Sequence, residues 1–334
     1  MNKESRVSII TPCYNAEDFI KETINSVLNQ SHRFIDYIVV DDGSTDNSLK
    51  ILDTYKDRIT VLEAPHKGAC AARNKGAELA KGDYLLFLDA DDTLDENTIE
   101  VFLNEIKNQN NTLVACNWKR LNYTENKWVT TPSGLSDTPP NNDFIKGWLS
   151  GWYVPPAGIL WPKKLFENTG GWDESLAANQ DGDLILRALI SGVNIKLTKN
   201  TNVYYRHHDA SKISISSSKS SRHLASRMKV LEKVTNSLGE NQKLEQYKIE
   251  IGKGYHNLAR NNFKTDAKLA KSCETNAKKY ASKHRFSGSK THVCLSRIFG
   301  LENKEKFADI LSNIGFKKSK RKKSESLAEL SKNG

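Results

Sequence analysis

Three carboxylates crowd four positions where an apolar stretch ends. In "LLFLDADDTLDEN", Leu85 to Asn97, they are Asp89, Asp91 and Asp92. Acids at the mouth of a buried strand repel one another unless positive charge sits with them. Oxygen donors alternating on an extended end, with no thiol beside them, suit Mg2+ or Mn2+, ions usually shared with substrate phosphates. Such an ion clamps a diphosphate and neutralises its charge as it leaves. The same residues also read as an acidic turn in which Asp92 or Thr93 caps the following helix. D-x-D alone does not choose between the two.

The elements that must position these acids alternate. "VSIIT" at 7–11 reads as a buried strand broken by Pro12. "AEDFIKETINSVLNQ" puts Phe19, Ile20, Ile24, Val27 and Leu28 on one helical face. "DYIVVDDGSTD" is a strand, then acids, then a Gly/Ser turn with N-cap chemistry. "NSLKILDTYKD", "ITVLEA", "GACAARNKGAELAKG" and "DYLLFLDADD" continue as helix, strand, helix and strand. Strands apolar on both faces and alternating with helices predict a parallel sheet under covering helices. Right-handed crossovers bring the C-terminal strand ends to one edge, where Pro12–Asn15, Asp41–Ser44 and Asp89–Asp92 meet. Ligands bind at such an edge. No G-x-G-x-x-G follows the first strand and no Walker loop occurs.

Five scattered cysteines without metal-type spacing point to reduced thiols. A strand beginning after six residues leaves no room for a signal peptide, and no apolar run has membrane-span length, so the expectation is a cytoplasmic protein. Residues 211–334 carry 28 Lys and Arg against 11 Asp and Glu, a net +17, whereas 1–210 carry −7. The acidic part attracts a cation, and the basic part an anionic surface.

Four blocks, in order, carry a resemblance. They are "VSIITPCYNAEDFIKETINSVLNQS", "YIVVDDGSTDNS", "KGACAARNKGAELAKGDYLLFLDADD" and "NQDGDLILRAL". Together the blocks resemble the family 2 glycosyltransferases of bacterial surface-polysaccharide type, inverting enzymes of GT-A fold that use nucleotide-diphospho-sugars. The resemblance covers about 1–215 and implies a Rossmann-like, mostly parallel α/β sheet. The Ser/Lys stretch near 210–221 marks a boundary, beyond which the residues read as a mainly helical region at 216–314 and a polybasic tail at 315–334; the resemblance covers the catalytic domain at 1–215. It further implies Mn2+ or Mg2+, a nucleotide-sugar donor, most simply a UDP-sugar, and a glycan or lipid-linked acceptor.

Residue by residue, the resemblance sets Pro12 and Tyr14 beside the base, with Glu17 as a lesser addition. Asp42, next to Asp41, hydrogen-bonds the base. Lys67 and Gly68 lie near the nucleotide, and Arg73 near ribose or diphosphate, where its planar fork suits anionic oxygens. Asp89 contacts ribose or sugar, and Asp91 binds the metal. The family usually has Glu-Asp where this chain has Gln180-Asp181. Asp181 is then the catalytic base, taking the acceptor hydroxyl's proton in a single displacement, with Asp183 the rival. "YYRHHDASKIS" is similar to the family's closing Y-R-x-H segment, which makes His208, or else His207, a metal or diphosphate ligand. "GGWDESL" sets Trp172 and Asp173 near donor sugar or acceptor.

Several positions keep two readings. Trp148, Trp152, Tyr153 and Trp161 form either a sugar-stacking wall, with Trp152 its foremost member, or ordinary core. "KKSKRKK" at 317–323 is either a solvated tail or a patch for anionic lipid, which would make the protein peripheral on the membrane's inner face. A catalytically silent nucleotide-sugar binder is a further alternative. Nucleic-acid binding is disfavoured, because the basic segment lacks interleaved aromatic residues and matches no recognition motif.

Overall fold

A computed structural model describes residues 5–107, 109, 111–124, 127–132, 138–207 and 220–281. The first half alternates as the apolar pattern predicts: β1 (Val7–Cys13), α1 (Ile20–Leu28), β2 (Ile35–Asp41), α2 (Ser48–Asp53), β3 (Thr60–Glu63), α3 (Ala69–Leu79) and β4 (Tyr84–Phe87). These strands lie parallel in the order β3-β2-β1-β4. All seven residues of β1 are buried, which is what a strand covered on both faces requires. The strand runs through Pro12 to Cys13 rather than stopping before it. The ladder to β4 has already ended at Ile10, so proline's missing donor is tolerated there. Helix α3 approaches β1 closely because residue 76 is glycine; a Cβ there would collide with Ile10.

Beyond β4 come β5 (Thr93–Leu94), α4 (Thr98–Ile106), β6 (Thr112–Thr124), β7 (Lys127–Pro132), α5 (Phe144–Leu149), β8 (Ile159–Pro162), α6 (Lys163–Thr169), α7 (Gln180–Ile190) and β9 (Asn194–His207). Strand β8 inserts antiparallel between β4 and β6, and β9 runs parallel to β6. The register of β6 and β9 shifts between Cys116 and Asn117. Antiparallel β5 closes one end of the order, and β7 pairs with β6.

Three helices follow: α8 (Ser221–Glu240), α9 (Leu244–Asn262) and α10 (Ala267–Ala281). Leu224, Val230, Val234 and Leu238 of α8 are buried, and spacings of six, four and four residues keep them on one helical face. They join the same hydrophobic core as the sheet. Polar links reinforce this seam: Ser226 Oγ accepts from the Ala177 and Ala178 amides and donates to Ala178 O. Among the described residues no helix is long and apolar enough to cross a membrane. His208 and the polybasic tail lie outside the described residues.

Candidate active site

At the C-terminal edge of the parallel strands, Tyr14 is 46% exposed and lies against His66, ring centroids 4.2 Å apart. Asn15, at φ +48°, turns the chain back so that its carbonyl oxygen Oδ1 accepts from the Thr45 amide. The Glu17 carboxylate accepts from Asn47 N and Nδ2, tying this loop to the start of α2. Both oxygens of buried Asp42 are used, accepting from the Lys67 and Gly68 amides at 2.8 Å each. Asp42 thereby fixes the turn that opens α3. Its neighbour Asp41 accepts from the Ser44 amide through Oδ2, while its buried Oδ1 has no protein hydrogen-bond partner. Burial and Asp41 push the Cys13 thiol beside them up to about 12, so it stays protonated.

The positive charge that the acidic edge needs comes from two arginines. Arg73, 6% exposed on α3, donates to Asp89 at 2.5 Å and stacks over Trp172 at 4.5 Å. Arg206, 2% exposed on β9, packs between the rings of Phe19 and Trp128 and pairs with Glu22. Its backbone amide donates to Asp92 Oδ1. Burial, with Asp91 and Asp89 adding repulsion, holds the Asp92 carboxyl well above the usual range. Asp92 is therefore a buried support of the loop, and Asp89 and Asp91 are left at its mouth. Among the described residues no three His, Cys, Asp or Glu side chains converge as a metal cage. The donors at this mouth are hard carboxylate oxygens, which fits a divalent cation that completes its shell with substrate phosphates.

The third contribution is the start of α7. Asn179 adopts a left-handed conformation, and its side chain folds over position 182, where a Cβ would collide with Asn179 Oδ1. Glycine there lets Gln180 and Asp181 point toward α3. Gln180 accepts from Arg73 at 3.4 Å. Burial raises the Asp181 carboxyl; the Gly182 amide and Arg73 oppose the rise, and Asp89 adds to it. Asp183 is fully buried and pairs with Arg187 and with Lys233 of α8. Asp173 accepts from Ser175 and pairs with Lys233 at 2.9 Å, so its carboxyl lies far below the ordinary value. It faces the helical seam.

Trp172 is buried under Arg73 and edge-on to Phe87. Trp152 is buried in a cluster with Phe144 and Trp148. Of the aromatic residues singled out in the sequence, Tyr153 lies toward the acids, grouped with Trp118 and Tyr205, whose rings the sequence did not mark; the Trp118 centroid is 5.0 and 5.9 Å from Tyr153 and Tyr205. Burial raises the Tyr205 hydroxyl, and Asp92, Asp89 and Asp91 raise it further. His207 ends β9 in an exposed position, paired with Asn122. His66, Trp118, Arg120, Tyr205 and Arg206 had no role in the sequence reading. The alternation of Trp118 and Arg120 along one strand was the available signal for that pair.

The family profile described as Glycosyl transferase family 2 matches residues 8–160. The chain is 32% identical over 209 residues to the Escherichia coli protein WfaP, named UDP-Glc:alpha-D-GlcNAc-diphosphoundecaprenol beta-1,3-glucosyltransferase; the match covers 61% of this chain and 78% of that one. The chain belongs to the family 2 glycosyltransferases. A second member, the glycosyltransferase GlyG of Streptococcus pneumoniae, is 37% identical over 123 residues, 36% of this chain and 40% of that one. The chain thus spans about two fifths of the length of that relative. The GT-A fold is shared with S. aureus TarS residues 1–349, solved in complex with UDP-GlcNAc: TM-score 0.67 at 19% identity, over 91% of this chain and 92% of that one.

Proposed function

We propose that the chain transfers a sugar, with inversion, from a nucleotide-diphospho-sugar to a hydroxyl of a glycan or lipid-linked glycan. The observation that carries this is Asp181. Its carboxyl is raised by burial at the start of α7, within the field of the Arg73–Asp89 pair. A base poised closer to working pH is better suited to take a proton. The acceptor oxygen gives its proton to Asp181 and forms the bond to the anomeric carbon. The bond from that carbon to the diphosphate oxygen breaks, and the nucleoside diphosphate leaves with the electron pair. Asp183, held by Arg187 and Lys233, supports the helix.

The donor's base lies against Tyr14 and Pro12, and Arg73 and Asp89 face ribose and diphosphate. Asp42 acts by holding the Lys67–Gly68 turn, and the unpaired Asp41 Oδ1 is the oxygen left to meet an N–H of the base. A UDP-sugar is the simplest donor, in keeping with the UDP-Glc in the name of WfaP and the UDP-GlcNAc of the TarS complex. Asp91 is the proposed protein ligand for Mn2+ or Mg2+, joined by His208. When bound, the cation supplies charge neutralisation for the departing diphosphate. The lipid-linked alternative for the acceptor rests on the diphosphoundecaprenol in the name of WfaP. Incubation with a panel of UDP-sugars and Mn2+ tests the reading. Metal-dependent release of UDP from at least one sugar is expected, and no release from any would contradict it.

A further inference from the structure

Strand β6 places Trp118 and Arg120 on one face, and the parallel register sets Arg120 opposite Tyr205 of β9. The Arg120 guanidinium lies 5.9 Å from the Trp118 ring centroid. Trp118 is locked in turn, its Nε1–H donating to Tyr153 O at 3.2 Å. The Tyr153 hydroxyl is bonded by Arg120 and feels Asp181 and Asp92. Arg120 Nε is buried and has no hydrogen-bond partner in the protein. A guanidinium offers five donors in a planar fork that matches the oxygens of a phosphate or carboxylate. The sheet order separates this group from the nucleotide loops: β4 and β8 stand between β1 and β6. Arg73, across that divide on α3, serves the donor's side.

We propose that Arg120, on an aromatic floor of half-buried Tyr153 and Tyr205 packed against buried Trp118 and beside Asp181, receives an anionic group, a phosphate or carboxylate, carried by the acceptor. The proposal rests on the transferase reading for what an acceptor is. The floor stacks the apolar face of a sugar or polyol. The cation offsets the repulsion that Asp89, Asp91 and Asp181 exert on an incoming anion. A neutral acceptor would leave the Arg120 charge unmatched and its Nε without a partner, so the site discriminates in favour of charge.

Tryptophan fluorescence of the full chain, titrated at constant ionic strength, tests this with four probes: glycerol 1-phosphate and glucuronate, and their neutral counterparts glycerol and glucose. The expected result is saturable binding of the two anions at least tenfold tighter than of their counterparts. Arg120→Gln should weaken anion binding tenfold or more. Arg120→Lys, which keeps the charge without the fork, should fall between, and a melting curve checks that both variants fold. Equal binding of charged and neutral probes by the unsubstituted chain would overturn the proposal, as would unchanged anion affinity in Arg120→Gln. Metal-dependent UDP-sugar hydrolysis is the second readout. Its loss together with anion binding in Arg120→Gln would put the guanidinium on the donor diphosphate and also overturn the proposal. A chain that hydrolyses no UDP-sugar, yet binds the anions through Arg120, would sink the transferase reading alone.

Discussion

Asp181 and Asp183 sit two residues apart in the first turn of one helix and are employed in opposite ways. Asp183 is enclosed by Arg187 and by Lys233 of α8, so its charge is matched inside the protein. Asp181 faces the other side, toward α3 and the acidic edge, and burial raises its carboxyl with only partial compensation from Arg73. A helix N-terminus favours both negative charges. What distinguishes them is whether a cation within the fold completes the pairing. The residue left short of a partner is the one available to a substrate.

Substitution at Asp181 should have the largest effect. Asp181→Asn should lower the rate of transfer by about 10²- to 10⁴-fold, the scale of a lost general base. Nucleotide and metal binding and the melting temperature should stay near those of the unsubstituted chain. Isothermal titration with UDP and Mn2+ separates the two effects, and comparable losses in affinity and turnover would move Asp181 into the donor site. Asp183→Asn should do the reverse. Leaving Lys233 and Arg187 facing an uncharged group in a buried setting should cost about 3–5 kcal/mol of stability. Urea unfolding measures this, and an unchanged midpoint would show that the pairs are not structural.

Asp173 offers a milder version of the same contrast. It is about a quarter exposed, and its carboxyl is lowered chiefly by Ser175 and Lys233 against the cost of burial. Asp173→Asn should cost about 1 kcal/mol. The sign follows from the lowered carboxyl. Its stabilisation is present above the unfolded-state value of about 3.9 and is lost as pH falls through the folded-state value. Melting curves between pH 7 and pH 3 should therefore begin to approach each other below about pH 4 without meeting by pH 3; curves that stay parallel would exclude the ion pair as the cause.

Much of the fold was legible because buried parallel strands write themselves as apolar runs: "VSII", "YIVV" and "YLLF" became β1, β2 and β4. Strand β7, with only "KWVTTP" to mark it, went unread, since a half-exposed strand lacks such a run. At the site, sequence order pointed to the acids and to Asp181 as candidates. It could not give partners distant along the chain, such as Arg206 backing Asp92 across 114 positions or Arg73 meeting Asp89 and Trp172. The tryptophans kept two readings for a related reason: composition does not tell a sugar platform from a core cluster. Trp148 and Trp152 have the composition of a sugar platform, yet they pack against each other and Phe144. The surface beside the acids is built instead from β6, β9 and Tyr153.

As the proposed base, Asp181 should have its proton affinity set by burial. The most direct test is the pH dependence of kcat for the unsubstituted chain and for Asp181→Asn, with donor, Mn2+ and acceptor saturating. The base must be unprotonated to accept the acceptor's proton, and burial raises its carboxyl. The account therefore predicts that kcat falls on acidification along a limb whose midpoint lies above about 3.9, the value of an ordinary aspartate, and that the residual activity of Asp181→Asn lacks this limb. The same acid limb at the same midpoint in Asp181→Asn would contradict it.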